Sequence, residues 1–262
     1  MVFKRLRQAM GVGGPSVETV LADPSCRPGG QLAGRVRVTG GDHPVDVSYL
    51  ALGLVTRVEV ESSEAEYDTD QEFGRQQVTG PFRLAPGQRH DVPFRFAVPW
   101  ETPLTEMYGR HLPGMTMGLR TELEVARAVD QGDLDPVAVH PLPAQELLLD
   151  ALLRLGFRLA GADVERGHLY GVRQGLPFYQ EIEFHPAPRY ARTLNQLEVT
   201  FVTDPQQVQV VLEIDKRGGL FTEGRDTFGR FTVDHATAHT QDWTTHLDTW
   251  IRQSLSRRGL LS

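Results

Sequence analysis

Apolar residues recur at every second position through much of the first half of the chain. In Met117–Val125, Leu119, Thr121, Leu123 and Val125 share one face while Arg120, Glu122 and Glu124 share the other, the period of a half-buried strand. The same alternation marks Gln31–Thr39 through Leu32, Val36 and Val38, and residues 89–98 through Val92, Phe94, Phe96 and Val98. Ser16–Leu21 and Val45–Glu61 read as further strands, the latter long enough to need a bulge near Gly53. Residues 64–78 are polar and acidic, which predicts an edge strand guarded by charge. Gly, Pro and Asp punctuate these runs, as in Gly40-Gly41-Asp42. Many short strands with tight turns and little helix predict a β-sandwich.

A cluster of turn residues follows Val125. Asp130, Gly132, Asp133, Asp135 and Pro136 predict the end of one domain and a tight acidic crossing into a second. The expected division is 1–138 and 139–262. Residues 143–157 then carry Leu147, Leu148, Leu149, Leu152, Leu153 and Leu155 on most sides of a helix, a pattern that predicts enclosure, and Gly156 ends it. Strands resume at residues 158–165, 181–184, 196–202 and 207–215. In the last of these Val208, Val210, Leu212 and Ile214 oppose Gln209, Val211, Glu213 and Asp215. Gly218, Gly219 and Gly224 predict a loop. A closing helix is expected over about residues 240–257, with Trp243, Leu247, Trp250, Ile251 and Leu255 on one stripe. At the other end, Phe3, Leu6, Ala9 and Met10 lie beside Lys4, Arg5 and Arg7, which predicts a short basic amphipathic helix over 1–12.

At 262 residues the chain has room for one large domain or two of ordinary size. A formal net charge of -7 argues against non-specific nucleic-acid binding. Of 27 lysines and arginines only Lys4 and Lys216 are lysine, which reads as a coding bias. No apolar run approaches the ~20 residues of a membrane span, and the first residues lack a secretory apolar core, so a cytoplasmic protein without integral membrane association is expected. The terminal stripes offer surfaces for a protein partner: Phe3, Leu6 and Met10 at the start, and Trp243, Leu247 and Trp250 at the end. Packing on the chain's own second domain, or pairing of two copies, would use the same C-terminal residues. Attachment to a membrane surface is a further use of the first ten.

Candidate chemistry is sparse. Cys26 is the single cysteine, so no internal disulfide forms, and Arg27 alone is weak support for a reactive thiol. His235, His239, Asp242 and His246 follow i, i+4, i+7 and i+11 if helical, and neighbours among them could share a metal. All four together span about three turns at a rise of about 1.5 Å per residue, too far for one ion. A metal-dependent protein built on this segment is therefore the alternative reading rather than the leading one. Asp130, Asp133 and Asp135 lack the terminal Glu of an EF-hand loop. The acidic run Glu59, Glu61, Glu64, Glu66, Asp68 and Asp70 reads as edge protection or a docking face for a basic partner. Gly11-Val12-Gly13-Gly14 lacks both a preceding strand and the last glycine of a dinucleotide fingerprint. No GxSxG, HExxH or Walker A motif occurs. No catalytic residue and no cofactor are expected.

Seven segments in order carry a resemblance: FKRLRQAMGVGGPSVETVL, PGGQLAGRVRVTGG, FRFAVPWETPLT, TELEVARAVDQGDLDPVAV, ALLRLGFRL, LPFYQEIEFHP and VVLEIDKRGG. Together they resemble the bacterial sporulation-control family of arrestin-like proteins. The likeness covers nearly the whole chain and is poorest over the last 30 residues. Residues 1–10 depart from the family in using arginine where lysine is commoner, which preserves the charge. The resemblance implies an all-β chain of two tandem arrestin-like β-sandwiches, with a short N-terminal helix, an inter-domain helix and a C-terminal helix. It further implies a cytoplasmic, non-catalytic regulatory or scaffold protein of sporulation, development or stress responses that binds other proteins. It brings no catalytic residues with it.

Overall fold

A computed structural model describes residues 13–61, 66–125, 131–216 and 227–256. The N-terminal amphipathic segment with Phe3, Leu6 and Met10, the residue Asp130 and the glycine loop with Gly218, Gly219 and Gly224 lie outside the described residues. The chain is mostly β and divides into two compact units. The first is Met1–Glu106 with Met115–His140, and the second is Met107–Gly114 with Pro141–Ser262.

In the first unit, β1 (Ser16–Leu21), β3 (Gln31–Thr39) and β7 (Arg89–Ala97) form an antiparallel three-stranded sheet, after β2 (Ser25–Cys26) has branched off. A larger sheet is built on β4 (Val45–Glu61), which pairs with β5 (Glu66–Thr79), β6 (Phe82–Leu84) and β10 (Met117–Val125). The predicted alternation holds: Leu119, Thr121 and Leu123 are fully buried and sit opposite Leu54, Leu52 and Leu50 of β4. The two sheets meet where the hydroxyls of Thr19 and Thr121 share a buried hydrogen bond of 2.5 Å. On the opposite side of β10, Glu122 joins Arg75 at 2.7 Å, and Arg120 joins Glu72 at 3.2 Å.

The acidic stretch after β10 corrects one expectation. Gln131–Pro136 is a strand, β11, paired antiparallel to β10 from Leu123↔Gln131 to Gly118↔Pro136. Its carboxylates act locally: Asp133 accepts the Thr19 N–H at 3.0 Å and its own neighbour Leu134 N–H at 3.0 Å. A short parallel pair, β2 with β12 (Ala138–Val139), follows.

The second unit contains a two-residue turn between β8 (Glu106–Met107) and β9 (Arg110–His111), with Tyr108 and Gly109 both at positive φ. Its helix α1 (Pro143–Arg154) starts on Pro143, and Gln145 accepts the Leu142 N–H at 2.8 Å. It ends as the sequence predicts. Gly156 adopts φ 92°, and its N–H and that of Phe157 bond Leu153 and Leu152 carbonyls at 2.9 and 3.1 Å. The strands β13 (Arg158–Arg166), β14 (Phe178–His185), β15 (Leu194–Thr203), β16 (Gln207–Lys216) and β17 (Thr227–Asp234) form an antiparallel meander in sequence order. One face is apolar, through Ile182, Phe184, Leu197, Val199, Val210 and Leu212. A 3₁₀ turn (Ala238–Thr240) and the helix α2 (Trp243–Ser256) close the described chain. Trp243 stacks on Phe231 of β17, and Leu247 and Ile251 are buried.

Candidate functional site

Two surfaces stand out, one on each unit. The first is the outward face of the small sheet. There the register places Val20 beside Arg35 and Arg35 beside Pro93; in the next row Ala22 bonds to Ala33, which sits opposite Arg95. Ala22, Ala33 and Pro93 are exposed, and they line a groove of about 490 Å³ with Val20, Arg35 and Arg95. The strand alternation explains this: Leu32, Val36, Phe94 and Phe96 turn into the core, so their neighbours must turn out. Arg35 and Arg95 are both exposed and enter no ion pair among the described residues. Arg37, on the same face, is bound by Glu18 at 3.0 Å and Asp91 at 3.7 Å. A separate cleft of about 340 Å³ at the β1–β11 seam is lined by Glu18, Asp133 and Asp135.

The second surface is the polar face of the five-stranded sheet. Glu183, Glu198 and Glu213 stand directly opposite one another across three strands, and Asp163 stands opposite Glu181. Carboxylate oxygens of Glu181, Glu198 and Glu213 lie within 4.8 Å of one another. Gln196 donates to Glu183 at 2.9 Å and to Glu198 at 3.0 Å. Crowded, half-buried carboxylates hold protons. Burial first, then Glu198, Asp163, Glu213 and Glu165, pushes Glu181 up to about 9. Burial likewise pushes Glu198 up to about 7, against the Gln196 hydrogen bond, and Asp163 up to about 6 with help from Glu183. Such a row can take up protons, and its three closest members have the reach to share a cation. Each member was the polar position of a strand in the sequence, but no local spacing links positions 163, 181, 198 and 213. Only strand register brings them together.

The His-rich segment is not one stripe. α2 begins at Trp243, so His235 and His239 precede it. His235 lies in the turn after β17, where its Nε2 is 2.9 Å from the Asp204 carbonyl. His239 lies in the 3₁₀ turn. Asp242 caps α2, accepting the Thr245 hydroxyl at 2.6 Å and its N–H at 3.1 Å, which holds its carboxyl below its usual range. His246 stands edge-on to Phe231 and Trp243. The four do not converge on a common point. The physical reason is that Asp242 starts the helix instead of continuing one. Trp243 and Leu247 are buried in their own unit, and Trp250 lies against Gly229. Burial pushes the Cys26 thiol up to about 12, which keeps it protonated.

Comparison with known proteins agrees with this architecture. A family model described as SpoOM protein matches residues 3–218. The chain belongs to the SpoOM family. It is 34% identical over 216 residues to the sporulation-control protein spo0M of Bacillus subtilis (strain 168), spanning 82% of this chain and 81% of that protein. The crystal structure of Spo0M, sporulation control protein, from Bacillus subtilis superposes with a TM-score of 0.81 at 29% identity, covering 93% of this chain and all of that one. The family match ends before β17 and α2, while the structural match extends over most of the chain. Among the described residues no helix is long and apolar enough to cross a membrane.

Proposed function

We propose that this SpoOM-family chain is a non-catalytic regulator of sporulation or a related developmental or stress programme, and that it acts in the cytoplasm by binding other proteins. We read its two units as tandem arrestin-like domains: the first layers two sheets, and the second sets helices against one face of a meander. The observation that carries the reading is the exposed groove on the small sheet, whose apolar floor and two arginines lie on rigid strands. Such a surface suits recognition, because strands hold contact residues in fixed register and leave little entropy to lose on binding. The relative's sporulation-control name supports sporulation as the process.

The test is complementation. In a Bacillus subtilis strain lacking spo0M, expression of this chain restores sporulation frequency toward the parental level. Failure to restore it, with the chain folded and present at the level of the native protein, overturns the reading.

A further inference from the structure

We infer that the groove between Arg35 and Arg95 is a docking site for an extended acidic segment of another protein, one carrying an apolar side chain among its carboxylates. This deepens the proposed function and rests on it. The geometry supplies two halves of the recognition. Arg35 on β3 faces Pro93, and Arg95 two residues further along β7 faces Ala33. The two arginines are thus diagonal neighbours, with backbones about 7–8 Å apart. Like charges at that separation repel, and an anion set between them relieves the repulsion with charge-assisted hydrogen bonds. The other diagonal, Ala33 and Pro93, is exposed, as is Ala22, and with the half-buried Val20 they make an apolar floor of small residues. The groove's volume of about 490 Å³ leaves room for a long apolar side chain.

The surroundings sharpen the assignment. The chain carries a formal net charge of -7, while Arg35 and Arg95 are both exposed and enter no ion pair among the described residues. Four other arginines of this unit are matched: Arg37 with Glu18 and Asp91, Arg57 with Asp68, Arg75 with Glu72 and Glu122, Arg120 with Glu72. A basic segment would meet repulsion at Arg35 and Arg95. A nucleic acid would meet the acidic charge of the whole chain. A purely ionic ligand would leave the apolar floor unused.

The experiment uses the full chain and fluorescein-labelled ten-residue peptides of alternating acidic and apolar residues, read by fluorescence anisotropy. Amide and lysine versions of the same peptides serve as comparisons. The acidic peptide is expected to bind about tenfold more tightly than its amide version, and less tightly as salt rises. The double variant Arg35→Glu with Arg95→Glu is expected to lose that preference. Ala33→Trp, which fills the groove and leaves both charges, is expected to weaken binding as well. Arg173→Glu, an exposed reversal on the second unit, is expected to change nothing. Equal binding of acidic and amide peptides overturns the assignment. So does retained binding by the double variant, or an equal loss in Arg173→Glu. Complementation is scored separately: no preference for the acidic peptide, with sporulation still restored by the unmodified chain, removes this site and leaves only the role in sporulation standing, whereas the acidic preference without restored sporulation removes that role and leaves the site.

Discussion

Single residues on this chain do different work according to what faces them. Glu181 is the clearest case. Its carboxyl holds a proton to about pH 9 in the folded chain, and it releases that proton near its ordinary value of 4.5 once unfolded. The folded state therefore binds more protons than the unfolded state across that interval, and stability falls as pH rises through it. Glu198 and Asp163, raised to about 7 and about 6, add to the same slope at lower pH. Thermal unfolding followed from pH 5 to 9 should show a midpoint that declines. Glu181→Gln should flatten the decline and raise the midpoint by a few degrees at pH 8.5. An unchanged slope in the variant would show that this row does not titrate as described. Gly229 makes a second residue-scale case. A Cβ built there would lie 2.1 Å from the Trp250 ring, so the ring or β17 must shift to admit one. Gly229→Ala should destabilise the second unit by about 1–3 kcal/mol, measured by urea unfolding.

At the scale of elements, hydrophobic period and turn chemistry decide most of the structure. β1, β3, β4, β10, α1 and β16 lie where alternation or the leucine pattern places them. β11 was not legible, because QGDLDP carries the residues of a turn and no alternation of its own. It becomes a strand because β10 offers an edge to pair with and Asp133 can satisfy the Thr19 N–H. α2 was legible as a helix with an apolar stripe, but its start was not. Asp242 closes the cap through Thr245, and that divides the histidines. The Arg35–Arg95 groove and the carboxylate row were invisible for a common reason: each needs two or more strands in register. Two elements can be tested by their joints. Thr121→Val strands the Thr19 hydroxyl between the sheets of the first unit and should cost about 1–3 kcal/mol. Leu247→Ala empties a fully buried position under α2 and should cost about 2–5 kcal/mol. Urea unfolding by circular dichroism checks both.

As a whole, the molecule belongs to the SpoOM family and carries the recognition surface proposed above. Each unit buries its own core, and the first displays a rigid face with apolar floor and paired positive charge in an otherwise acidic chain. Both arginines are exposed and enter no ion pair among the described residues, so reversing them is expected to leave the scaffold intact. Selection in a cell would then read the groove alone. The most direct measurement is sporulation frequency in Bacillus subtilis lacking spo0M, comparing the unmodified chain with its Arg35→Glu, Arg95→Glu double variant at equal abundance and equal thermal stability. The account predicts that the unmodified chain restores sporulation and the double variant does not. Full restoration by both would contradict it.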